Sequence, residues 1–252
     1  MMVKRSARRA VRRVNDAYGS SDGDNVRRLF DEPAWTPVEE EPRDQKYRKN
    51  IRAYNDAQQA LLDAIDRSPL VFATGAAGTG KTYLAVAKAV EALDAGRVRR
   101  IVLSRPAVEA GESLGFLPGD VEEKMSPYLR PLYDALCDRL SSKRLKILIA
   151  EGVIEIAPIA YMRGRTLNNA FVVIDEAQNC TYTQLKMLLT RLGWNSSMVV
   201  TGDPAQTDLL PGMSGLQDIV DRLEKLDSVD AVTFSRSDVV RHPLVAEMID
   251  VL

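Results

Sequence analysis

The most constraining feature of this chain is the segment Gly75-Ala-Ala-Gly-Thr-Gly-Lys-Thr82. An apolar run of strand type, 70–74, precedes it, and a segment rich in helix-forming residues, 83–93, follows it. In the pattern G-x-x-x-x-G-K-[ST], glycines allow successive backbone N–H groups to turn inward around a polyphosphate. The strand–loop–helix order also places that anion at a helix N-terminus, where free donors and the helix dipole favour negative charge. The segment therefore predicts a phosphate-binding loop.

The loop residues have predicted roles in binding ATP and Mg²⁺. Lys81 is expected to lie against the β- and γ-phosphates, and the Thr82 hydroxyl is expected to ligate Mg²⁺. A chance glycine-rich turn is the alternative, which the flanking segments and the second motif below disfavour. The predicted ATP contacts are the loop residues and the residue after them: Gly75, Ala76, Ala77, Gly78, Thr79, Gly80, Lys81, Thr82 and Tyr83.

A second motif follows the apolar run 170–174, which is typical of a strand buried on both faces of a parallel sheet. Asp175 ends that run, so we expect its carboxylate at the same sheet edge as the loop, where it would hold Mg²⁺. The next residue, Glu176, is predicted to polarise an attacking water. An isolated Asp-Glu pair is usually a solvated turn. Together with the loop, this pair predicts a nucleoside triphosphatase.

Two amide side chains complete the predicted site. Gln206 follows the apolar run 197–201, and at a strand tip its amide would sense the γ-phosphate and orient water. Its motif, Gly202-Asp-Pro-Ala-Gln206, is weak by itself because Gly-Asp-Pro is also a common turn. Gln58 lies upstream of the loop in a helical segment, where its amide could read the adenine edge. A surface glutamine on an amphipathic helix is the simpler alternative for Gln58.

Composition excludes several other classes of protein. The 252 residues carry a net charge of −1, which gives no overall indication of a nucleic-acid or membrane partner. No apolar run is long enough to cross a bilayer and no secretory segment is present, so we expect a cytoplasmic protein without a membrane partner. Cys137 and Cys180 show no disulfide pattern and agree with a reducing compartment. With His242 as the sole histidine, neither histidine-based catalysis nor a histidine-rich metal site is expected.

The first part of the chain, residues 1–49, is predicted to be a poorly ordered, charged arm and linker. Residues 1–13 are basic without any acid, and residues 31–44 are acidic and contain prolines. The basic segment is interpreted most simply as a solvated tail. Contact with nucleic-acid phosphates and an organelle-targeting role are the alternatives.

The second part, residues 50–252, is predicted to be one ATPase domain. Apolar strands alternate there with helical segments, among them 120–140, which we expect to be broken near Pro127 and Pro131. This alternation is typical of an α/β fold with a mostly parallel sheet and helices on both faces.

The order of these motifs resembles the PhoH-like family of phosphate-starvation-associated ATPases, which are similar to the motor core of superfamily 1 helicases. The resemblance implies a RecA-like P-loop NTPase fold, and the loop residues, Asp175, Glu176, Gln206 and Gln58 would have the roles given above. We expect no added RNA-binding or nuclease domain in a chain of this length. The stretches that carry the resemblance, within residues 54–250, are 75–85, 104–112, 161–166, 173–179, 201–206 and 238–245.

The resemblance also implies self-association. The related helicases close ATP between two RecA-like domains, and the second domain supplies arginines to the transition state. One domain alone would lack this positive clamp and lose about 10³–10⁵ in rate. We therefore expect a homo-oligomer, a hexameric ring, in which Arg241 is supplied in trans to a neighbour's site. Arg236 is the second candidate, and a surface pairing of Arg241 with Asp238 is the alternative.

Three arginines, Arg105, Arg163 and Arg165, are candidates for contact with single-stranded nucleic acid. They could equally position ATP or a neighbouring subunit. The favoured function is an ATP-driven translocase or helicase on single-stranded nucleic acid, with RNA preferred to DNA. An ATP-switched assembly with a protein client is the alternative. A kinase for a small molecule is disfavoured, because the adjacent carboxylates and Gln206 point to water as the phosphoryl acceptor.

Overall fold

The structure is a computed structural model of the chain, and it describes residues 51–106 and 121–240, the latter with side chains from residue 128 onward. The predicted arm, residues 1–49, lies outside the described residues. So does Arg241, the predicted arginine finger.

Six strands of the described residues form one sheet in which every pair is parallel. The strands are β1 (Leu70–Gly75), β2 (Arg100–Arg105), β3 (Ile154–Pro158), β4 (Ala170–Ile174), β5 (Ser197–Gly202) and β6 (Val229–Phe234). Their order across the sheet is β3-β2-β4-β5-β1-β6. One strand, β5, thus separates the strand of the phosphate loop from the strand of the Asp175 motif, as in RecA-like P-loop proteins. The predicted fold class is confirmed.

Helices cover both faces of this sheet. The helices on one face are α1 (Asp56–Arg67), α2 (Lys81–Asp94), α3 (Val121–Cys137) and α4 (Ser142–Ala150). The helices on the other face are α5 (Tyr182–Leu189) and α6 (Leu216–Leu223). Successive strand residues serve the two faces in turn: Val71 and Ala73 pack in the first core, whereas Leu70 and Phe72 pack in the second. Because both faces are covered, the central strands are continuously apolar.

Local sequence explains where several helices begin. The side chain of Asn55 accepts a hydrogen bond from the N–H of Gln58 at 2.8 Å and so caps α1. Thr181 and Gln184 form a reciprocal capping box at the start of α5.

The prediction of a break near Pro127 and Pro131 is wrong, because α3 runs continuously through both prolines. A proline inside a helix removes one backbone hydrogen bond. Here Leu129, Leu132 and Leu136 of the same helix are buried in the core, and this packing compensates for the loss. The sequence pattern predicts no element at α4 or β3. Both are short, and the charged residue Glu155 stands second in β3, where it obscures the apolar pattern.

Among the described residues, none of the helices has both the length and the apolar character that a membrane crossing requires.

The two cysteines are expected to differ in reactivity. Cys137 is exposed, whereas Cys180 is buried and its burial raises the pKa of its thiol to about 12. Since the thiolate is the reactive form, a disulfide reagent at about pH 8 should titrate one thiol in the native protein and both in denaturant. Rapid reaction of both thiols in the native protein would contradict this burial.

Candidate nucleotide site

The phosphate loop joins β1 to α2, as predicted, and glycine conformation shapes it. Gly75 has φ +116°, and a Cβ there would lie 1.9 Å from the carbonyl oxygen of Phe234. Gly80 has φ +87° and forms the N-cap of α2. Both positions need glycine because side chains strongly disfavour these angles, and at Gly75 space is also lacking. The loop therefore turns directly into the N-terminus of a 14-residue helix, which is the geometry that favours an anion.

The ammonium of Lys81 lies inside the loop. It donates to the carbonyl oxygens of Gly75 at 2.7 Å and Ala76 at 2.6 Å, and to the hydroxyl of Thr79 at 3.2 Å. Burial lowers the pKa of Lys81, and the nearby carboxylates of Asp203 and Glu176 oppose that shift. All three hydrogen-bond acceptors are neutral, so a phosphate group would be a stronger partner for this cation.

Asp175 brings together the predicted Mg²⁺ ligands. Its Oδ1 accepts hydrogen bonds from the hydroxyls of Thr82 at 2.6 Å and Thr201 at 2.7 Å. A carboxylate and a hydroxyl are hard oxygen donors, so Asp175 and Thr82 fit Mg²⁺. Within the described part of the chain, no group of three His, Cys, Asp or Glu residues could hold a metal. Mg²⁺ bound beside a nucleotide commonly takes only one or two protein carboxylates, with phosphate and water as the other ligands.

Glu176 adopts a left-handed conformation, φ 53° and ψ 41°, which is uncommon for a residue other than glycine. Such a backbone costs about 1–3 kcal/mol and persists only where its surroundings hold it. The side chain is 36% exposed, in contrast to the buried carboxylate of Asp175. One oxygen of Glu176 accepts from Arg105 at 3.4 Å, and the other accepts from the amide of Gln178.

These residues line one cleft of about 340 Å³ at the carboxyl ends of the strands. The cleft brings together Lys81, Thr82, Asp175, Glu176 and Gln206, which the sequence predicted to act jointly. It also includes Asp203, which sequence analysis did not single out although it stands within the Gly202–Gln206 motif. The full lining is Ala77, Gly78, Gly80, Lys81, Thr82, Tyr83, Asp175, Glu176, Gly202, Asp203 and Gln206.

Gln58 is 3% exposed, so the interpretation of a surface glutamine is wrong. Its Nε2 donates to the carbonyl of Thr79 at 2.9 Å, and its Oε1 accepts from the N–H of Tyr54 at 2.8 Å. The amide thus ties the start of α1 to the phosphate loop and lies outside the cleft lining. A contact of Gln58 with adenine stays a prediction.

The structure separates the three candidate nucleic-acid arginines. Arg105 ends β2 with its guanidinium 3.5 Å from Asp175 and 3.4 Å from Glu176, beside the cleft. Arg163 is exposed just after β3. Arg165 is engaged with Glu155, whose pKa is lowered by this pairing, and one of the two hydrogen bonds measures 2.6 Å.

A cation held inside a phosphate loop, beside a hydroxyl–carboxylate pair of the type that binds Mg²⁺, is the arrangement by which proteins bind nucleoside triphosphates. The fold and the site therefore define a P-loop NTPase. The sequence profile described as PhoH-like protein matches residues 50–252. The chain belongs to the PhoH-like family, which confirms the resemblance.

Two relatives and one solved structure indicate the extent of similarity. A PhoH-like protein of Bacillus subtilis is 56% identical over 203 residues, which cover 80% of this chain and 64% of the relative. Protein PhoH of Escherichia coli is 44% identical over 245 residues, covering 96% of this chain and 69% of the relative. The chain thus spans less than two thirds of the B. subtilis relative. The large terminase of a thermophilic bacteriophage is similar with a TM-score of 0.48 and 11% identity, covering 79% of this chain and 50% of the terminase.

Replacing Lys81 should remove most nucleotide affinity. Charge-assisted hydrogen bonds contribute about 1.5–3 kcal/mol each, so Lys81→Met is expected to weaken ATP binding at least about tenfold. Fluorescent-nucleotide titration measures this change. Lys143→Met, on the exposed face of α4, is the matched control and should bind as the unaltered protein does. Equal affinities for the two variants would contradict the placement of the site.

The two arginines that follow β3 are expected to differ in their effect on stability. Arg165→Ala should lower the melting temperature more than Arg163→Ala, because the loss of Arg165 removes the hydrogen-bonded partner of Glu155. Since the folded pKa of Glu155 is below its ordinary value, this contribution is present at neutral pH. It should disappear as the pH falls through that lowered pKa. Thermal melts of both variants at neutral and acidic pH test this, and equal melting temperatures at neutral pH would contradict it.

Proposed function

We propose that the protein hydrolyses ATP with Mg²⁺ and that, as a ring of identical subunits, it uses this energy to move along single-stranded nucleic acid, RNA in preference to DNA. Hydrolysis itself rests on the cleft residues. The proposal of a nucleic-acid partner rests on the position of Arg105. The proposal of a ring rests on the need for an arginine from a neighbouring subunit, for which Arg241 is the candidate. A cytoplasmic location belongs to the same proposal.

The cleft residues divide the chemistry of hydrolysis between them. Lys81 neutralises charge on the β- and γ-phosphates, and Thr82 with Asp175 would hold Mg²⁺. Bound Mg²⁺ supplies a second positive charge at the phosphate oxygens. Glu176 follows Asp175 directly and has a solvent-accessible carboxylate, so it is available to polarise water. Gln206, which also lines the cleft, orients that water against the γ-phosphate.

Arg105 supports the nucleic-acid part of the proposal. In the sheet order β3-β2-β4, the tip of β2 lies between the β3 tip and the tip that carries Asp175 and Glu176. The segment after β3 presents Tyr161, 52% exposed, and the exposed Arg163. An aromatic ring and a guanidinium are suited to a base and a backbone phosphate. A strand bound there would compete for Arg105 and release one oxygen of Glu176, so binding would stimulate hydrolysis.

Oligonucleotide stimulation tests this proposal. We expect single-stranded RNA to raise the rate of phosphate release, and Glu176→Gln to reduce release to a slow residual rate with and without RNA. Arg105→Ala should reduce the ratio of the stimulated to the unstimulated rate, because RNA can then no longer act by drawing the Arg105 guanidinium away from Glu176. Arg130→Ala, a 76% exposed side chain on α3, is the matched arginine control and should keep the ratio. No binding and no stimulation at low salt would contradict the nucleic-acid partner.

A neighbouring subunit would complete the cleft. Among the cleft-lining residues that the structure describes, Lys81 is the one cation. A guanidinium from a neighbour would add the positive clamp that the transition state needs, worth about 10³–10⁵ in rate. Arg241 is proposed as that residue, in a hexameric ring.

Mixing two inactive variants distinguishes an arginine supplied in trans from one supplied in cis. Lys81→Ala subunits lack a working loop but keep Arg241, whereas Arg241→Ala subunits have the reverse defect. If Arg241 acts in trans, mixed rings should recover part of the ATPase rate that neither variant has alone. No recovery in rings shown to contain both variants, by co-purification on a tag that only one variant carries, would refute supply in trans. Full activity of a dilute monomer would refute the need for a ring.

A protein client is the second candidate, and Trp194 favours it. This indole is 83% exposed at the edge opposite the cleft. Its backbone is held on both sides, by the side chain of Asn168 at 2.8 Å and by the N–H of Asn169 at 2.8 Å. Exposed tryptophans are enriched at protein interfaces. An ATPase rate that is indifferent to nucleic acid and sensitive to Trp194→Ser in the presence of a client would support this alternative.

A further inference from the structure

Gln178 links the predicted water-activating carboxylate to the loop that carries Gln206. The side chain is buried, 2% exposed, in a short 3₁₀ helix, Ala177–Asn179. Its Oε1 accepts from the N–H of Asp203 at 3.0 Å. Its Nε2 donates to the carbonyl of Gln206 at 3.3 Å and also to Oε2 of Glu176. One amide therefore contacts Glu176 and the turn 203–206, both of which contribute to the lining of the cleft.

The surroundings of Gln178 require an amide of this length. A Cβ at Gly202 would lie 2.7 Å from Oε1 of Gln178, so the glycine leaves room for the amide. An apolar side chain at position 178 would leave the N–H of Asp203 without this partner, at a cost of about 1–3 kcal/mol. A glutamate would keep the acceptor for Asp203, but it would lose the donor and place a second negative charge against Glu176.

Neighbouring Asn179 offers a natural comparison. Its Oδ1 accepts from the N–H of Asp208 at 2.8 Å, and its Nδ2 donates to Oδ2 of the same residue at 2.8 Å. The side chain of Asn179 therefore joins the 3₁₀ helix to the loop after β5, as Gln178 does. Its contact with Glu176 is through the backbone alone, from its N–H to the carbonyl oxygen at 3.0 Å, and does not reach the carboxylate. A role that is only structural would make Gln178 and Asn179 equivalent.

We propose that Gln178 is a positioning residue that couples the turn 203–206 to the carboxylate of Glu176. When Gln206 engages the γ-phosphate, the turn 203–206 shifts the amide of Gln178, and the amide sets the orientation of the Glu176 carboxylate. Sensing of the γ-phosphate and activation of water thereby become one event. Gln178 exchanges no proton itself, and Arg105 contacts the other oxygen of Glu176. This inference rests on the proposed ATP hydrolysis and adds a coupling to it.

The first test compares three variants in basal ATP hydrolysis without nucleic acid. Gln178→Glu and Gln178→Leu are expected to lower kcat by about 10- to 100-fold, because Glu176 loses its orientation. ADP affinity, measured with a fluorescent analogue, should change by less than about threefold, because Gln178 lies outside the cleft lining. Asn179→Ala should keep kcat within about threefold. Equal losses for Gln178→Glu and Asn179→Ala, or a loss of ADP affinity that matches the loss of kcat, would overturn the proposal.

A double-mutant cycle isolates the path through Glu176. In single-turnover reactions, Gln178→Glu combined with Glu176→Gln should be no slower than Glu176→Gln alone, because the group that Gln178 positions is already gone. Losses that multiply would overturn the positioning role.

If Gln178→Leu fails to fold, the near-isosteric Gln178→Glu still decides, and a comparable unfolding of Gln178→Glu would show a structural role instead. Multiplied losses with RNA stimulation intact refute this inference alone, whereas absent stimulation with the expected cycle refutes only the nucleic-acid partner.

Discussion

The hydrogen bonds to the Asp175 carboxylate join the three chain segments on which the site depends. Asp175 ends the β4 run, Thr82 stands in the first turn of α2, and Thr201 lies in β5. Burial of a carboxylate without partners would destabilise the fold by several kcal/mol. The two hydrogen-bonding hydroxyls therefore constrain where α2 begins relative to the ends of β4 and β5. Parallel pairing makes this possible, since β1, β5 and β4 all finish at the same edge.

Two adjacent carboxylates acquire different surroundings from this arrangement. The peptide after Asp175 turns into the left-handed region at Glu176, so the two side chains leave the strand in different directions. Asp175 is enclosed by hydroxyls and suits a divalent cation. Glu176 faces the cleft between Arg105 and Gln178. In the proposed mechanism, the backbone strain at Glu176 accompanies a separation of roles between the two carboxylates.

Local patterns predicted the fold class correctly, and they predicted a set of site residues, most of which the structure brings into one cleft. The phosphate loop was recognisable because its glycines meet conformational requirements that are set within a few residues, such as φ +116° at Gly75. The parallel sheet followed from strand-like and helical segments in alternation. The errors occurred where packing overrides local preference. Prolines 127 and 131 did not break α3, whose leucines are buried, and the short elements α4 and β3 gave too weak a pattern.

The sequence by itself determined the class of nucleotide site. Each of its motifs, namely the loop, the Asp-Glu pair and the Gly-Asp-Pro turn, consists of residues that are adjacent in the chain and can be recognised there. Only the tertiary structure decided the partners of the side chains between these motifs. It placed Arg105 against Asp175 and Glu176, Arg165 against Glu155, and Gln178 between Glu176 and Asp203. The contacts of Arg105 and the bond from Gln178 to Asp203 cross from one strand tip to the next, so they depend on strand order. Spacing along the chain does not encode that order in any locally readable form, because distant segments meet only when the sheet assembles.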